Sequence, residues 1–419
     1  MAYSIYRRKC GEIPEQDIAA PTREKKWRET VKDNVFVICK TPMAASITRR
    51  TLVGYSTAAV NAIYVDNLID TLKSAPEKFV KKITKGNFWK REEDEMKFDA
   101  VVGNPPYQMM DGGNKNSASP AYHYFFISAR KLNADYVSMI MPSRWFAGGK
   151  GLDDFRDSML SDKRIVKLVD FQNAKDCFPT TSIGGGVCYL LRAPSETPTC
   201  EVVNFFAGKT TVKNRALDQF SVFIRYNDAV GIMEKVALAK EGSLSTLISS
   251  RNPFGIATNF VGKETAGATD LTLYSSGERV SYIARKKVDC DEGLVKKWKL
   301  LMSRTSSEHA GEPDRNGQYN VLSTTRILKP GEVCSDSYVI GCPSSKRGEV
   351  ENFHRYLKTR FVRFIILLGL TSINLPREAY SFVPVQDFSE PWDDAKLYKK
   401  YKLTREEIAF IESMIKPME

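Results

Sequence analysis

Apolar residues along the first half of the chain fall into short blocks separated by polar turns. Asn34-Val35-Phe36-Val37-Ile38-Cys39 has the β-branched and aromatic content of a buried strand and leads through Thr41-Pro42 into a short helical stretch. Thr51-Leu52-Val53-Gly54-Tyr55 reads as a second strand, Ala58 to Leu72 as a helix, and Lys81 to Trp89 as a third strand with its following loop. Phe98-Asp99-Ala100-Val101-Val102-Gly103 is a fourth strand, and it must end where Asn104, Pro105, Pro106 and Tyr107 begin, because proline cannot donate to a sheet ladder. Gly103 leaves room there for a ligand or a neighbouring backbone.

The pattern continues with a Gly/Asn/Ser loop, Met109 to Ser119, suited to a lid or a contact loop. Tyr122 to Leu132 is an amphipathic helix, Tyr136 to Met141 a strand ending in Pro142-Ser143-Arg144-Trp145, Gly151 to Leu160 a helix, and Ile165 to Phe171 a strand. A loop from Cys177 through Phe178-Pro179 and Gly184-Gly185-Gly186 feeds a strand ending at Leu191. Such alternation is the signature of an α/β, doubly wound core, whose ligand crevice lies outside the carboxyl ends of its strands. Asn104 and Tyr107 would stand at that mouth.

Ala193 to Thr199 breaks the composition and marks a boundary. Beyond it strand-like runs (Glu201 to Phe206, Ser221 to Tyr226, Trp298 to Arg304, Ile327 to Val333 with its Pro-Gly turn, Ser337 to Ile340) mix with polar loops such as Thr305 to Gln318. Val350 to Leu370 reads as one long helix with an apolar face and a basic side carrying Arg355, Lys358, Arg360 and Arg363. Thr404-Arg405-Glu406-Glu407 is a capping box opening a last helix with Ile408, Ile411 and Ile415 as its inner stripe. The domains expected are a polar extension (1–33), a catalytic core (34–195) and a mixed α+β domain (196–419).

Composition narrows the choice of partner. The 419 residues carry a net charge of +12 and 42% apolar side chains, enough for packed cores and suited to a polyanion. The most apolar run, Phe364 to Leu370, falls well short of the roughly 20 residues that cross a bilayer. Eight cysteines without a Cys-x-x-Cys pair and three dispersed histidines suggest neither a zinc site nor a disulfide framework, so a reducing cytoplasm is expected and no metal.

Asn104-Pro105-Pro106-Tyr107 alone suits an ordinary Pro-rich turn as well as a site. Together with the ordered elements over residues 98–192 it closely resembles the adenine-specific DNA methyltransferases of restriction-modification systems, in particular the type IIG-like methylases with a carboxy-terminal target-recognition domain. That resemblance implies a Rossmann-like core, S-adenosylmethionine as cofactor, and double-stranded DNA as substrate. The side chain of Asn104 and the carbonyl of Pro105 would accept hydrogen bonds from the adenine amine, with Pro106 fixing the turn. Tyr107 would stack on the flipped base and Phe178 would form a second aromatic wall. Asn87 and Phe88, in Gly86-Asn87-Phe88-Trp89, would hold the cofactor's adenine, although a plain Gly-Asn turn fits them equally.

Two family features are missing. The turn after the first strand, Lys40-Thr41-Pro42-Met43, lacks glycines, and Tyr55 or Ser56 occupies the place of the acid expected after the second strand. A DNA-recognition subunit or remnant with a decayed cofactor site is therefore the alternative, served by a separate restriction or cofactor-binding subunit. A protein or RNA methyltransferase is a third class. Arg251, Arg304 and Arg360 are the candidate phosphate contacts, although an ordinary surface turn suits Arg251 better and a solvated helix side suits Arg360 better.

Overall fold

The computed structural model describes residues 1–110, 118–181, 183–307, 313–370 and 374–418, and the chain divides into two compact units, 1–139 and 140–419. The centre of the expected loop from Met109 to Ser119, Ser182, and part of the polar segment from Thr305 to Gln318 lie outside the described residues. No helix among the described residues is long and apolar enough to cross a membrane.

The first unit opens with helices Ala2–Lys9 and Ala20–Asn34 and then places two parallel strands, β1 (Phe36–Cys39) and β2 (Asn61–Tyr64), with Cys39 opposite Tyr64. Between them runs a helix, Pro42–Val53, where a strand at Thr51 to Tyr55 is expected. Thr41 caps it by accepting from the Ala44 amide at 3.1 Å, Pro42 supplies a first-turn φ, and Gly54 at φ 63° ends it, so a well-started helix carries the β-branched Thr51 and Val53 along. The expected helix from Ala58 to Leu72 is instead β2 followed by a helix, Leu68–Ser74. The Asn61 side chain pins β2 beside β1 by donating to the Lys32 and Val35 carbonyls at 2.6 and 3.1 Å. Lys81 to Trp89 holds no strand: helix Pro76–Ile83 buries Phe79 and Ile83, one turn apart, and Gly86–Trp89 is a 3₁₀ turn.

Strand β3 (Ala100–Gly103) pairs in parallel with the start of β6 (Tyr136–Pro142), Ala100 opposite Tyr136 and Gly103 opposite Met139. Between them, β4 (Gln108–Met110) and β5 (Ala118–Pro120) form an antiparallel pair within the expected loop, and helix Tyr122–Lys131 follows as read from the sequence. Phe36 at the start of β1 packs edge-on against Phe98 before β3 (5.6 Å between ring centroids) and against Trp89 (5.2 Å). One aromatic cluster thus anchors the beginnings of both strands.

In the second unit, after helix Asp153–Leu160, β7 (Ile165–Phe171) lies between β8 (Val187–Arg192), antiparallel, and β9 (Cys200–Phe206), parallel; β10 (Lys209–Arg215) closes as a hairpin on β9. The fold is mixed α/β around this mixed sheet. Ser221 to Tyr226 is an irregular lead into helix Asn227–Leu238 rather than a strand. Two three-stranded sheets follow: β11 (Asp270–Ser275) between β12 (Arg279–Ala284) and β15 (Glu332–Cys334), and β13 (Trp298–Ser303) between β14 (Thr325–Leu328) and β16 (Tyr338–Ser344). The long helix expected at Val350 to Leu370 is two, Arg347–Lys358 and Arg360–Gly369. Thr359 breaks it by capping the second: its hydroxyl accepts from the Val362 amide, and the Asp394 carboxylate takes the Arg360 and Phe361 amides. The Thr404 capping box forms as read, and Ile411 and Ile415 are fully buried.

Lys299 in β13 is fully buried, its ammonium donating to the carbonyls of Lys297 (2.9 Å) and Val295 (3.3 Å) with no salt bridge among the described residues, and the Glu332 carboxylate only partly offsets the burial. Burial pulls its pKa down to about 8. The unfolded chain keeps that proton to about pH 10.4, so stability rises as pH climbs from about 8 through that window, and at neutral pH the full desolvation penalty is present. Lys299→Met is expected to raise the unfolding free energy by about 1–2 kcal/mol at pH 7, with a smaller gain above pH 10. Urea titrations at the two pH values measure both; a loss of stability at pH 7 would refute the reading.

Candidate functional site

The exit of β3 concentrates the first unit's chemistry. Asn104 is exposed, Pro105 is buried beneath it, and Pro106 and Tyr107 are half-buried. Tyr107 is fastened by its backbone, its carbonyl accepting from the Ala121 amide at 3.1 Å. A side chain at Gly103 would meet only the Met139 side chain, at an ordinary 3.6 Å, so among the described residues no neighbouring backbone crowds the strand exit. An amide oxygen and two proline carbonyls, on residues lacking backbone N–H groups, form an acceptor-rich edge.

A second strand exit supplies an acid that the sequence reading missed. Because β2 is Asn61–Tyr64, the residue two places beyond it is Asp66, not Tyr55 or Ser56. The Val65 amide donates to the Cys39 carbonyl at 3.2 Å, so Asp66 stands beside the exit of β1 at Lys40. Its Oδ1 accepts from the Tyr64 hydroxyl at 2.8 Å and the Asn67 amide at 2.9 Å, while among the described residues Oδ2 accepts only from the Asn67 side chain, at 3.5 Å. Hydrogen bonding to this carboxylate raises the Tyr64 pKa above the ordinary phenol value. The signal is Asn61-Ala62-Ile63-Tyr64-Val65-Asp66, a short apolar run ending in an acid, which the helix expected over Ala58 to Leu72 hides.

Asn87 and Phe88 follow a helix rather than a strand. Asn87 is exposed, whereas Phe88 packs edge-on against Trp89 (4.9 Å) with Lys82 over its ring (5.5 Å). Gly86 is required: a Cβ there would lie 1.8 Å from the Glu93 carbonyl oxygen. Phe178 belongs to the second unit, half-buried in a loop where its amide donates to the Ala174 carbonyl at 2.7 Å. The Pro142-Ser143 strand exit is inward and structural: Ser143 is buried and donates to Asp170 at 2.7 Å.

The candidate arginines separate into two groups. Arg251 and Arg304 meet on one buried carboxylate, Asp336, at 2.6 and 3.0 Å, and the Arg251 hydrogen bonds hold that carboxyl below the ordinary value. Arg360 pairs with Glu412 at 3.1 Å. Arg363, placed by the sequence on a basic helix side, is fully buried and donates to the carbonyls of Lys358, Thr359, Asn320 and Lys416, tying the helix start internally.

Residues 33–178 match the family described as Eco57I restriction-modification methylase. An uncharacterized adenine-specific methylase of Mycoplasma pneumoniae is 35% identical over 132 residues, which make up 31% of this chain and 29% of that protein. The match thus spans less than a third of the curated relative. Among solved structures, the type ISP restriction-modification enzyme LlaGI, as a nuclease-deletion mutant with a DNA substrate mimic, aligns over 90% of this chain and 41% of its own at 11% identity and a TM-score of 0.49. The type IIL enzyme MmeI in complex with DNA aligns over 84% and 55%, at 11% identity and a TM-score of 0.44. Residues 33–178, with Asn104 to Tyr107 at a strand exit inside them, are thus similar to the Eco57I restriction-modification methylase family.

Proposed function

We propose that the chain transfers a methyl group from S-adenosylmethionine to the exocyclic amine of an adenine flipped out of duplex DNA, as the modification component of a restriction-modification system. The observation that carries this reading is the exit of β3, where an exposed asparagine and a buried proline follow directly on the strand. An amine inside a duplex is inaccessible, so the base must leave the stack and be held by face and edge. The Asn104 amide oxygen and the Pro105 carbonyl accept hydrogen bonds from the amine's two N–H groups and orient its lone pair toward the methyl group, one N–H proton leaving to solvent once the new bond forms, and Tyr107 stacks on the ring. S-adenosylmethionine, when bound, supplies a methyl group on a positively charged sulfur, already a good leaving group. The chain's own contribution is therefore positioning.

The residues present fit the nucleoside end of that cofactor, since Asp66 Oδ2, which accepts one long 3.5 Å contact from Asn67 Nδ2, retains lone-pair capacity for the acceptor a ribose diol requires. Asp66→Ala should weaken S-adenosylmethionine binding about 10- to 100-fold in calorimetry, the equivalent of hydrogen bonds to one charged group. Because Asp66 is exposed, the melting temperature should stay unchanged. An unaltered affinity would remove Asp66 from the site.

Residues 196–419 serve in this reading as the target-recognition domain, and duplex DNA is the partner of a chain with net charge +12. The test is transfer of labelled methyl groups from S-adenosylmethionine to a duplex DNA library; no transfer to any member would overturn the reading. One observation favours a second: the turn Lys40-Thr41-Pro42-Met43 has no glycine, and Pro42 removes an N–H at the following helix start. A DNA-recognition subunit whose cofactor site has decayed would bind duplexes without measurable affinity for S-adenosylmethionine.

A further inference from the structure

Three chain segments converge on Asp336: the turn 249–252, the end of β13 and the loop before β16. Asp336 is 6% exposed, yet two guanidinium groups share it. Arg251 approaches side-on, with Nη2 at 2.6 Å and Nε at 2.9 Å from Oδ2. Arg304 uses Nη1 alone, donating to the Asp336 carbonyl at 2.6 Å and to Oδ1 at 3.0 Å. Nη1 of Arg251 and both Nε and Nη2 of Arg304 have no hydrogen-bond partner among the described residues. The Arg251 side chain is 71% exposed and that of Arg304 30%, so these N–H groups reach solvent.

Two cations on one anion leave the cluster with a charge of +1. An interior tie between segments would need only one arginine, as Arg360 with Glu412 illustrates. The second guanidinium is surplus to neutralisation, and the carboxylate fixes both in place, which lowers the side-chain entropy lost when an anion arrives. The Nε–Nη2 edge left open on Arg304 is the two-pronged donor that matches two oxygens of a phosphate.

We propose that Arg251 and Arg304, held on the shared carboxylate of Asp336, form a two-guanidinium site for one backbone phosphate of duplex DNA. The inference rests on the reading of DNA as substrate, and it assigns this pair, not Arg360 or Arg363, to phosphate. Either arginine lost leaves the survivor neutralised by Asp336, so a single substitution silences the site.

Fluorescence anisotropy of the full chain with a fluorescein-labelled duplex of mixed sequence, over a salt series, tests it. Arg251→Ala should make the slope of log K against log salt shallower by about 0.9, an affinity loss of about eightfold near 0.1 M salt. Arg251→Lys, which keeps the charge, should restore most of the slope. Arg304→Ala should reproduce the Arg251→Ala loss, without adding to it. An unchanged slope in a folded Arg251→Ala variant overturns the proposal. So does an Arg304→Ala variant that alters which duplexes are bound at an unchanged slope, since the pair would then read a base edge. A wild-type chain that binds no duplex overturns the DNA reading along with it. Salt-dependent binding lost in Arg251→Ala, but without methyl transfer, supports the phosphate site while refuting catalysis.

Discussion

Asn104→Ala is expected to lower methyl transfer to duplex DNA by about 10²–10³-fold, the usual consequence of removing one oriented hydrogen-bonding group that acts on the reacting atoms. The argument is local. Asn104 follows the last residue of β3, its side chain is exposed, and its backbone is clamped between a strand and two prolines. Alanine therefore deletes an acceptor without opening a cavity, and unfolding free energy should change by no more than about 0.5 kcal/mol. Affinity for S-adenosylmethionine should also stay, because Asn104 addresses the amine and not the cofactor. Labelled methyl transfer, calorimetry and thermal melting on one preparation separate the three quantities. Activity retained within a few-fold of wild type would show that the amine is oriented elsewhere, and would remove the β3 exit from the mechanism.

That exit was legible from sequence because two independent signals coincide there: a β-branched run and a pair of prolines that cannot continue it. The elements after it were legible too. Helix Tyr122–Lys131 and strands Tyr136–Pro142 and Ile165–Phe171 are seven to ten residues long, enough for a period to show. Strand β1 and the helix after Thr41-Pro42 were legible, but residues 51–89 were misread, above all because β2 has only four residues, where an apolar run does not distinguish strand from helix. What fixes β2 is tertiary: the Asn61 side chain reaching two carbonyls of the preceding segment. The misplaced β2 then hid Asp66. Side-chain partnerships across long separations were equally illegible, so Arg251 and Arg304 could be named as basic residues but not as a pair 53 positions apart on one carboxylate. Arg363 was assigned to a basic face although it lies at the core, because a helix wheel does not reveal that backbone carbonyls from three other segments converge on its inner side.

The largest loss of stability should come from Asp170, a residue that touches no substrate in this scheme. It is 2% exposed near the end of β7, and it accepts both the Nε and Nη2 hydrogen bonds of Arg225 at 2.6 and 2.8 Å as well as the Ser143 hydroxyl. Through it the chain after β6, the end of β7 and the lead into helix Asn227–Leu238 are joined. Asp170→Ala leaves Arg225 a largely buried cation without its counter-ion, which should lower the unfolding free energy by about 3–5 kcal/mol. Asp170→Asn keeps the acceptor for Ser143 and nearly the same volume but removes the charge, so most of the loss should persist if the ion pair, rather than shape, is responsible. Combining Asp170→Asn with Arg225→Met removes both charges, and stability should return to within about 1–2 kcal/mol of the wild type, because the pair's attraction is largely offset by the desolvation of its members. Urea unfolding of the wild type, Asp170→Asn, Arg225→Met and the double variant closes the cycle. If Asp170→Asn is nearly neutral, or if the double variant loses the sum of the two single losses, the buried pair is not what joins these segments, and packing of Phe146 under Arg225 becomes the better account.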